Sequence, residues 1–207
     1  MSSYITFAVT LLTIVNPIGS LALFTGIAGD RPLGEQKTIA RTAGLAVAVI
    51  LVVVTWTGAG ILAFFGVTPA GLQAAGGTIL ILLGLSMLRS ETPRIKATRK
   101  ERVDAHDRES IAIVPLAIPI TAGPGAITTV ILATQDLPTA TDRAVLSAIG
   151  ILTGLLIWLC FHFAAPIANK LGVTGVRVVT RIMGLLLTAI AFQMLANGLR
   201  QLLPGLG

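Results

Sequence analysis

Charge is scarce in this chain of 207 residues, which has 15 Lys and Arg and 9 Asp and Glu, or 12% charged residues. The charges fall into five clusters, and between them lie uncharged runs at 1–29, 42–88, 110–135, 144–169 and 182–199, together 146 residues. That distribution excludes a soluble globular domain, whose apolar residues are interrupted by charge every turn or two of helix. Cys160 is the single cysteine, so a disulfide framework and a cysteine-based metal site are excluded. No run alternates apolar and polar residues, and each exceeds the roughly 10 residues of a barrel strand, so a transmembrane barrel is excluded too. Met1-Ser2-Ser3 carries no basic residue and no small-residue cleavage pattern follows, so a secretion signal is not expected. Gly-x-Ser-x-Gly and His-Glu-x-x-His are both missing and no acidic residue stands near His162 in its run, so an enzyme is not expected.

What is present is length without charge. A bilayer core about 30 Å thick is crossed by roughly 20 apolar helical residues. Each run is therefore one span, except the longest, which Gly66-Val67-Thr68-Pro69-Ala70-Gly71 divides in two. The result is an all-α polytopic membrane protein with six spans near 4–28, 40–65, 71–88, 111–134, 144–169 and 180–201.

Basic residues orient these spans. Arg31, Lys37 and Arg41 follow span 1, seven Lys and Arg follow span 3, and Lys170, Arg177 and Arg181 follow span 5. Only Arg143 and Arg200 lie on the opposite side. The positive-inside rule puts the richer loops in the cytoplasm and both termini on the periplasmic or extracellular side. The net charge of +6 is thus an orientation signal, and nucleic acid is not an expected partner. The linker 89–110 reads as a solvated cytoplasmic connector that could touch anionic lipid.

The chain also repeats. An offset of 107 residues lays Asn16-Pro17-Ile18-Gly19 on Gly123-Pro124-Gly125-Ala126, Gly77 on Gly184, and Met87-Leu88 on Met194-Leu195. The halves 1–88 and 111–207 each hold three spans, an odd number, so the second enters the membrane from the other side. This is an inverted-topology repeat.

Prolines in mid-span mark the expected site. Proline has no N–H and clashes with the carbonyl four residues back. Pro17 therefore frees the carbonyl of Thr13 and Pro124 that of Ile120, while Pro115 and Pro119 add interruptions in span 4. Irregular backbone survives in hydrocarbon only where protein or a cavity satisfies it, so spans 1 and 4 are expected to be discontinuous around one shared polar site. Amides near Gly19, Ser20, Gly125 and Ala126 would face a carboxylate, and the Thr13 and Ile120 carbonyls an ammonium group or small cation. The small side chains of Ser20, Ala122, Gly123, Gly125 and Ala126 leave little room, which points to a small zwitterion; Thr121 is counted with them as a substrate-binding candidate. Against this stands a packing alternative, since lone kinks in membrane helices are commonly geometric. Gly150-x-x-x-Gly154 is read as helix packing.

Asn16 is expected to act at the break, and Gln193 either to bond substrate or to make an interhelical hydrogen bond. His162 is a candidate proton relay, with a neutral imidazole bonded to a carbonyl as the alternative.

These features resemble the MarC-type small neutral amino acid transporters of the lysine-exporter-like superfamily. The resemblance rests on Asn16-Pro17-Ile18-Gly19, on Ile118-Pro119-Ile120-Thr121-Ala122-Gly123-Pro124-Gly125-Ala126-Ile127, and on three-plus-three spans about a charged linker. It implies an inner-membrane carrier for glycine, alanine, serine or similar amino acids, driven by an ion gradient. The expected coupling ion is H+ before Na+, and the expected partners are a small neutral amino acid, the lipid bilayer and, as an open option, a second copy of the chain. The alternative function is a passive channel for small uncharged solutes, built on aquaporin-like inverted repeats.

Overall fold

Every described helix except the first and last begins where the sequence supplies a reason to begin. The computed structural model describes residues 2–29, 31–89 and 122–206. The linker beyond Arg89 and the part of span 4 that holds Pro115, Pro119, Ile120 and Thr121 lie outside the described residues. Helix α1, Ser2–Val15, is followed after one residue by α2, Pro17–Ala28, with Pro17 in the first helical position. Helix α3, Leu33–Phe65, starts after Pro32 and stops at Gly66, whose φ of 65° suits the left-handed C-terminal turn. There the Val67 amide donates to the Leu62 carbonyl at 2.9 Å. Helix α4, Pro69–Leu88, is capped by Thr68, whose hydroxyl accepts from the Gly71 amide at 3.1 Å. Helix α5, Pro124–Asp136, again opens on a proline. Helix α6, Ala140–His162, has a capping box in which Thr139 and Asp142 exchange two bonds of 3.1 Å. Helix α7, Ala164–Leu202, contains one non-helical residue, Gly172 at φ 65° and ψ 170°.

The described residues form helices and no strand. Five stretches are long and apolar enough to cross a membrane: Ser3–Leu21, which runs over the α1–α2 junction, Leu33–Phe65, Pro69–Leu88, Ala140–His162 and Thr174–Leu202. Large apolar side chains such as Phe64, Leu82 and Ile182 are exposed on their outer faces, as a hydrocarbon surround requires. The chain is therefore a multi-pass helical membrane protein. The 13 residues of α5 cover only the second part of expected span 4 and do not cross alone.

Three boundaries depart from the sequence reading. Span 6, expected at 180–201, lies in a helix that starts at Ala164, and beyond the kink at Gly172 its apolar stretch runs over Thr174–Leu202. Span 2, expected at 40–65, belongs to a helix that starts at Leu33; with 33 residues it is about 50 Å long, so its charged first turns extend beyond the hydrocarbon. Span 5, expected at 144–169, ends at His162. Pro166 explains this, because it offers no N–H to the His162 carbonyl and would clash with it.

Packing is organised by two long helix pairs, α4 along α7 and α3 along α6. Helices α2 and α5 fill the spaces between them, α2 against α7 and α6, α5 against α4 and α3. Glycines bring the pairs together: a Cβ on Gly77 would stand 2.6 Å from the Leu195 nitrogen, and one on Gly154 2.5 Å from the Gly44 oxygen. The Gly150/Gly154 packing role read from the sequence is what is observed, with Gly150 against Leu51. Phe24 of α2 and Phe161 of α6, both buried, stack at 4.6 Å.

Overpacking is the direct test of these crossings. Gly154→Leu should lower stability by about 1–3 kcal/mol, seen as a lower unfolding midpoint in detergent. Gly34→Leu, at a position with nothing within 4 Å, should leave that midpoint unchanged.

Candidate functional site

The junction between α1 and α2 has the most unusual backbone among the described residues. Asn16 has φ 47° and ψ 68° and is the one non-glycine residue with positive φ among the described residues. Left-handed backbone costs an ordinary residue roughly 1–2 kcal/mol, and asparagine tolerates it best because its side chain bonds locally. Here Asn16 Oδ1 accepts from the Gly19 amide at 3.0 Å. Gly19 is needed for that bond, because a Cβ there would lie 2.2 Å from Asn16 Nδ2. Asn16, Pro17, Gly19 and Ser20 are all buried. The Asn16 amide also reaches Met87 Sδ of α4 at 3.8 Å, and Ser20 Oγ donates to the Val15 carbonyl at 3.4 Å. Thr13 is half-buried; its hydroxyl donates to the Val9 carbonyl at 2.8 Å, while its own carbonyl has no helical donor because Pro17 lacks an N–H.

One expectation is corrected at this junction. Gly19 and Ser20 were expected to offer free amides to a carboxylate. Both are already engaged, Gly19 by Asn16 Oδ1 and Ser20 by the Asn16 carbonyl at 3.0 Å. The cause is the asparagine itself, which caps the helix it starts.

The matching helix start differs. Gly123 stands before Pro124 in extended backbone, and no side chain among the described residues caps α5. Ala122, Gly125 and Ala126 are buried, Gly123 is half-buried and Pro124 is exposed. Gly125 packs on Leu80 of α4, where a Cβ would come within 2.3 Å. Both helix starts thus lean on α4, through Met87 and Leu80, seven residues and about 10 Å apart along its axis.

A cavity of about 470 Å3 opens between α1 and α5, with Met194 of α7 contributing to its wall. Its α1 side is formed by Ser3, Thr6, Phe7 and Thr10, its α5 side by Thr129, Leu132, Ala133 and Asp136, and Leu137 follows. Thr10 precedes Asn16 by six residues and Thr129 follows Gly123 by six, so the inner end of the cavity stands about 9 Å along each helix from its break. The Thr129 hydroxyl donates to the Gly125 carbonyl at 2.8 Å, in the first turn of α5. At the other end Tyr4 donates a hydrogen bond to Asp142, fastening the start of α1 to the start of α6.

Two expected residues lie apart from this region. Gln193 is exposed, while the next residue, Met194, is buried and lines the cavity. Helical phase is the reason: Leu187, Ala191 and Met194 form the buried stripe of α7 and turn Gln193 outward. His162 is the last residue of α6, half-buried, its ring edge-on to Trp158 at 5.8 Å and Phe163 at 4.9 Å. The sequence reading missed the hydroxyl-bearing wall, although Ser3, Thr6, Thr10 and Thr13 recur at helical spacing along α1. It also missed Asp136, which falls just after the uncharged run 110–135 and was assigned no role.

Residues 1–203 match the sequence model of a family described as MarC family integral membrane protein. Among similar proteins are the UPF0056 membrane protein BU267 of Buchnera aphidicola (33% identical, covering 100% of this chain and 96% of the relative) and the UPF0056 membrane protein YhcE of Escherichia coli (33%, 98% and 94%). The UPF0056 membrane protein MJ1677 of Methanocaldococcus jannaschii is 34% identical, over 92% of this chain and 93% of the relative. No solved structure matches this chain. The match over residues 1–203 and the near-full-length similarity to these relatives, in a chain with a multi-pass helical fold, lead to one conclusion: it belongs to the MarC family of integral membrane proteins.

Proposed function

We propose that this protein is a secondary transporter that moves small neutral amino acids, such as glycine, alanine and serine, across the bacterial inner membrane by alternating access. The observation that carries this reading is the buried, left-handed Asn16 between two helices in the middle of an uncharged span. Irregular backbone at membrane depth is tolerated only where it is satisfied by protein or lines a polar route, and in transporters such junctions hold substrate.

In this reading the halves 1–88 and 111–207 are inverted repeats about an axis in the membrane plane. Helix starts support it: Pro17 and Pro124 begin α2 and α5, Leu33 and Ala140 begin α3 and α6, and each pair is 107 residues apart. Reciprocal packing supports it further. Gly77 meets Leu195 and Ala191, whereas Gly184, its counterpart, meets Leu88 and Gly84, the counterparts of those two. A two-fold axis between α4 and α7 exchanges partners in this manner.

The unequal caps give the site a direction. Gly125 and Ala126 sit in the first turn of an uncapped, proline-started helix whose positive dipole end suits a carboxylate. The Thr13 carbonyl suits the ammonium group. Ile120 and Thr121, outside the described residues, would complete the site from the preceding segment. We take H+ rather than Na+ as the coupling ion, with no step assigned to His162, whose described neighbours are the aromatic rings of Trp158 and Phe163. The positive-inside bias of the basic loops supports an orientation with both termini outside and the linker inside.

Radiolabelled alanine uptake into proteoliposomes tests the function. Saturable accumulation above the external concentration, driven by an inward proton gradient, is expected; equilibration without accumulation would mean a channel, and absence of flux would refute both.

The junction makes a sharper demand. Asn16→Gly retains left-handed freedom and should keep most of the alanine flux. Asn16→Ala carries the left-handed penalty of roughly 1–2 kcal/mol and should lose about tenfold or more of the flux. Equal flux from the two variants would remove the junction from the transport cycle.

Pro124→Ala restores an N–H at the start of α5 and should abolish transport while leaving the detergent unfolding midpoint near that of the parent. Unchanged flux would contradict the site. Gly125→Leu is the poorer test, since leucine there collides with Leu80 and disturbs packing as well.

A further inference from the structure

The cavity between α1 and α5 has a chemistry of its own. Ser3, Thr6, Thr10 and Thr129 give it hydroxyls, and among the described residues Asp136 is the one ionisable side chain in its wall. Asp136 is exposed and forms no ion pair among the described residues. Its position is also electrostatically costly. It ends α5, where the helix dipole is already negative, and acidic residues are favoured at the other end of a helix. No capping bond of its side chain offsets that cost among the described residues, whereas Asp142, the nearby acidic residue on α6, both caps its helix and accepts from Tyr4. An unpaired carboxylate and a helix C-terminus therefore add their fields at the mouth of a hydroxyl-lined cleft, and clefts lined by one sign of charge concentrate the opposite sign.

We propose that this cavity is an outer docking site for the ammonium end of the substrate, held by the Asp136 carboxylate. It admits solutes that carry a primary ammonium group and turns away carboxylate anions that lack one. This rests on the transporter reading for its place in the cycle: the zwitterion docks at Asp136 and then passes between Thr10 and Thr129 toward the breaks. The site lies outside the helix junctions and discriminates by charge before the junctions discriminate by size.

The test separates docking from transport. Thr10→Cys, in a Cys160→Ser background, places one thiol inside the cavity of the full-length protein. In detergent, a cationic methanethiosulfonate should modify it about tenfold faster than an anionic one of similar size, after correction for their rates with a free thiol. Asp136→Asn should bring the corrected ratio close to one. Ethylamine and alanine should slow the cationic reagent, and propionate should not. In uptake assays Asp136→Asn should raise the alanine KM about tenfold, with the maximal rate within about twofold. A ratio unaffected by Asp136→Asn, equal protection by ethylamine and propionate, or a fall in maximal rate at constant KM would each overturn the docking site. Labelling needs no flux, so a protein that shows the charge ratio but moves no alanine would overturn the transporter reading and leave the docking site standing.

Discussion

A single missing N–H shapes the centre of this protein. Pro17 cannot donate to the Thr13 carbonyl, and with Asn16 before it in left-handed backbone the first span is interrupted there. Asn16 makes the interruption tolerable. It turns the chain through left-handed backbone and returns its side-chain oxygen to the Gly19 amide, and Gly19 leaves space for that return. The three residues act together: Pro17 interrupts the helix, Asn16 supplies the left-handed turn and caps the new helix, and Gly19 leaves room for that cap. Burial against Met87 ties this junction to α4, the helix that also receives Gly125 from the second half.

The surrounding helices form a frame for that junction. α4 with α7 and α3 with α6 approach through glycines at distances that exclude any side chain, which favours dispersion contacts in a solvent where burial itself supplies little driving force. α1 and α5 are less enclosed, and the cavity opens between them. The protein thus combines tightly crossed pairs with one cavity whose inner end lies about two helical turns from each break. In the proposed transporter reading, the crossed pairs would be the rigid support and the cavity the approach to the breaks.

Much of this was legible in the sequence, because both membranes and prolines act locally. Uncharged runs mark the spans, and Pro17, Pro69 and Pro124 each stand at the first position of a helix as their fixed φ and missing N–H dictate. What was not legible depended on rotation and on neighbours. Gln193 looked inward because an amide in hydrocarbon needs a partner, yet the buried stripe of α7 runs through Met194, one residue and about 100° away. The capping of Gly19 by Asn16 required knowing that Asn16 is left-handed. Asp136 was assigned no role because only the position of α1 reveals that a cavity lies beside it. Pro166 stood in view, but its effect falls four residues earlier, at His162, where the run of apolar residues gives no sign of an end.

The central claim is that the substrate carboxylate is held by backbone amides at the start of α5. Solid-state NMR dipolar recoupling between ¹³C-carboxyl glycine and protein labelled with ¹⁵N at Gly125 and Ala126, in lipid bilayers, measures this directly. The account predicts a carboxyl carbon about 4 Å from at least one of these two nitrogens, the separation left by a hydrogen bond of ordinary length. Absence of dephasing at both nitrogens under saturating glycine, with glycine signal retained in the protein, would contradict it.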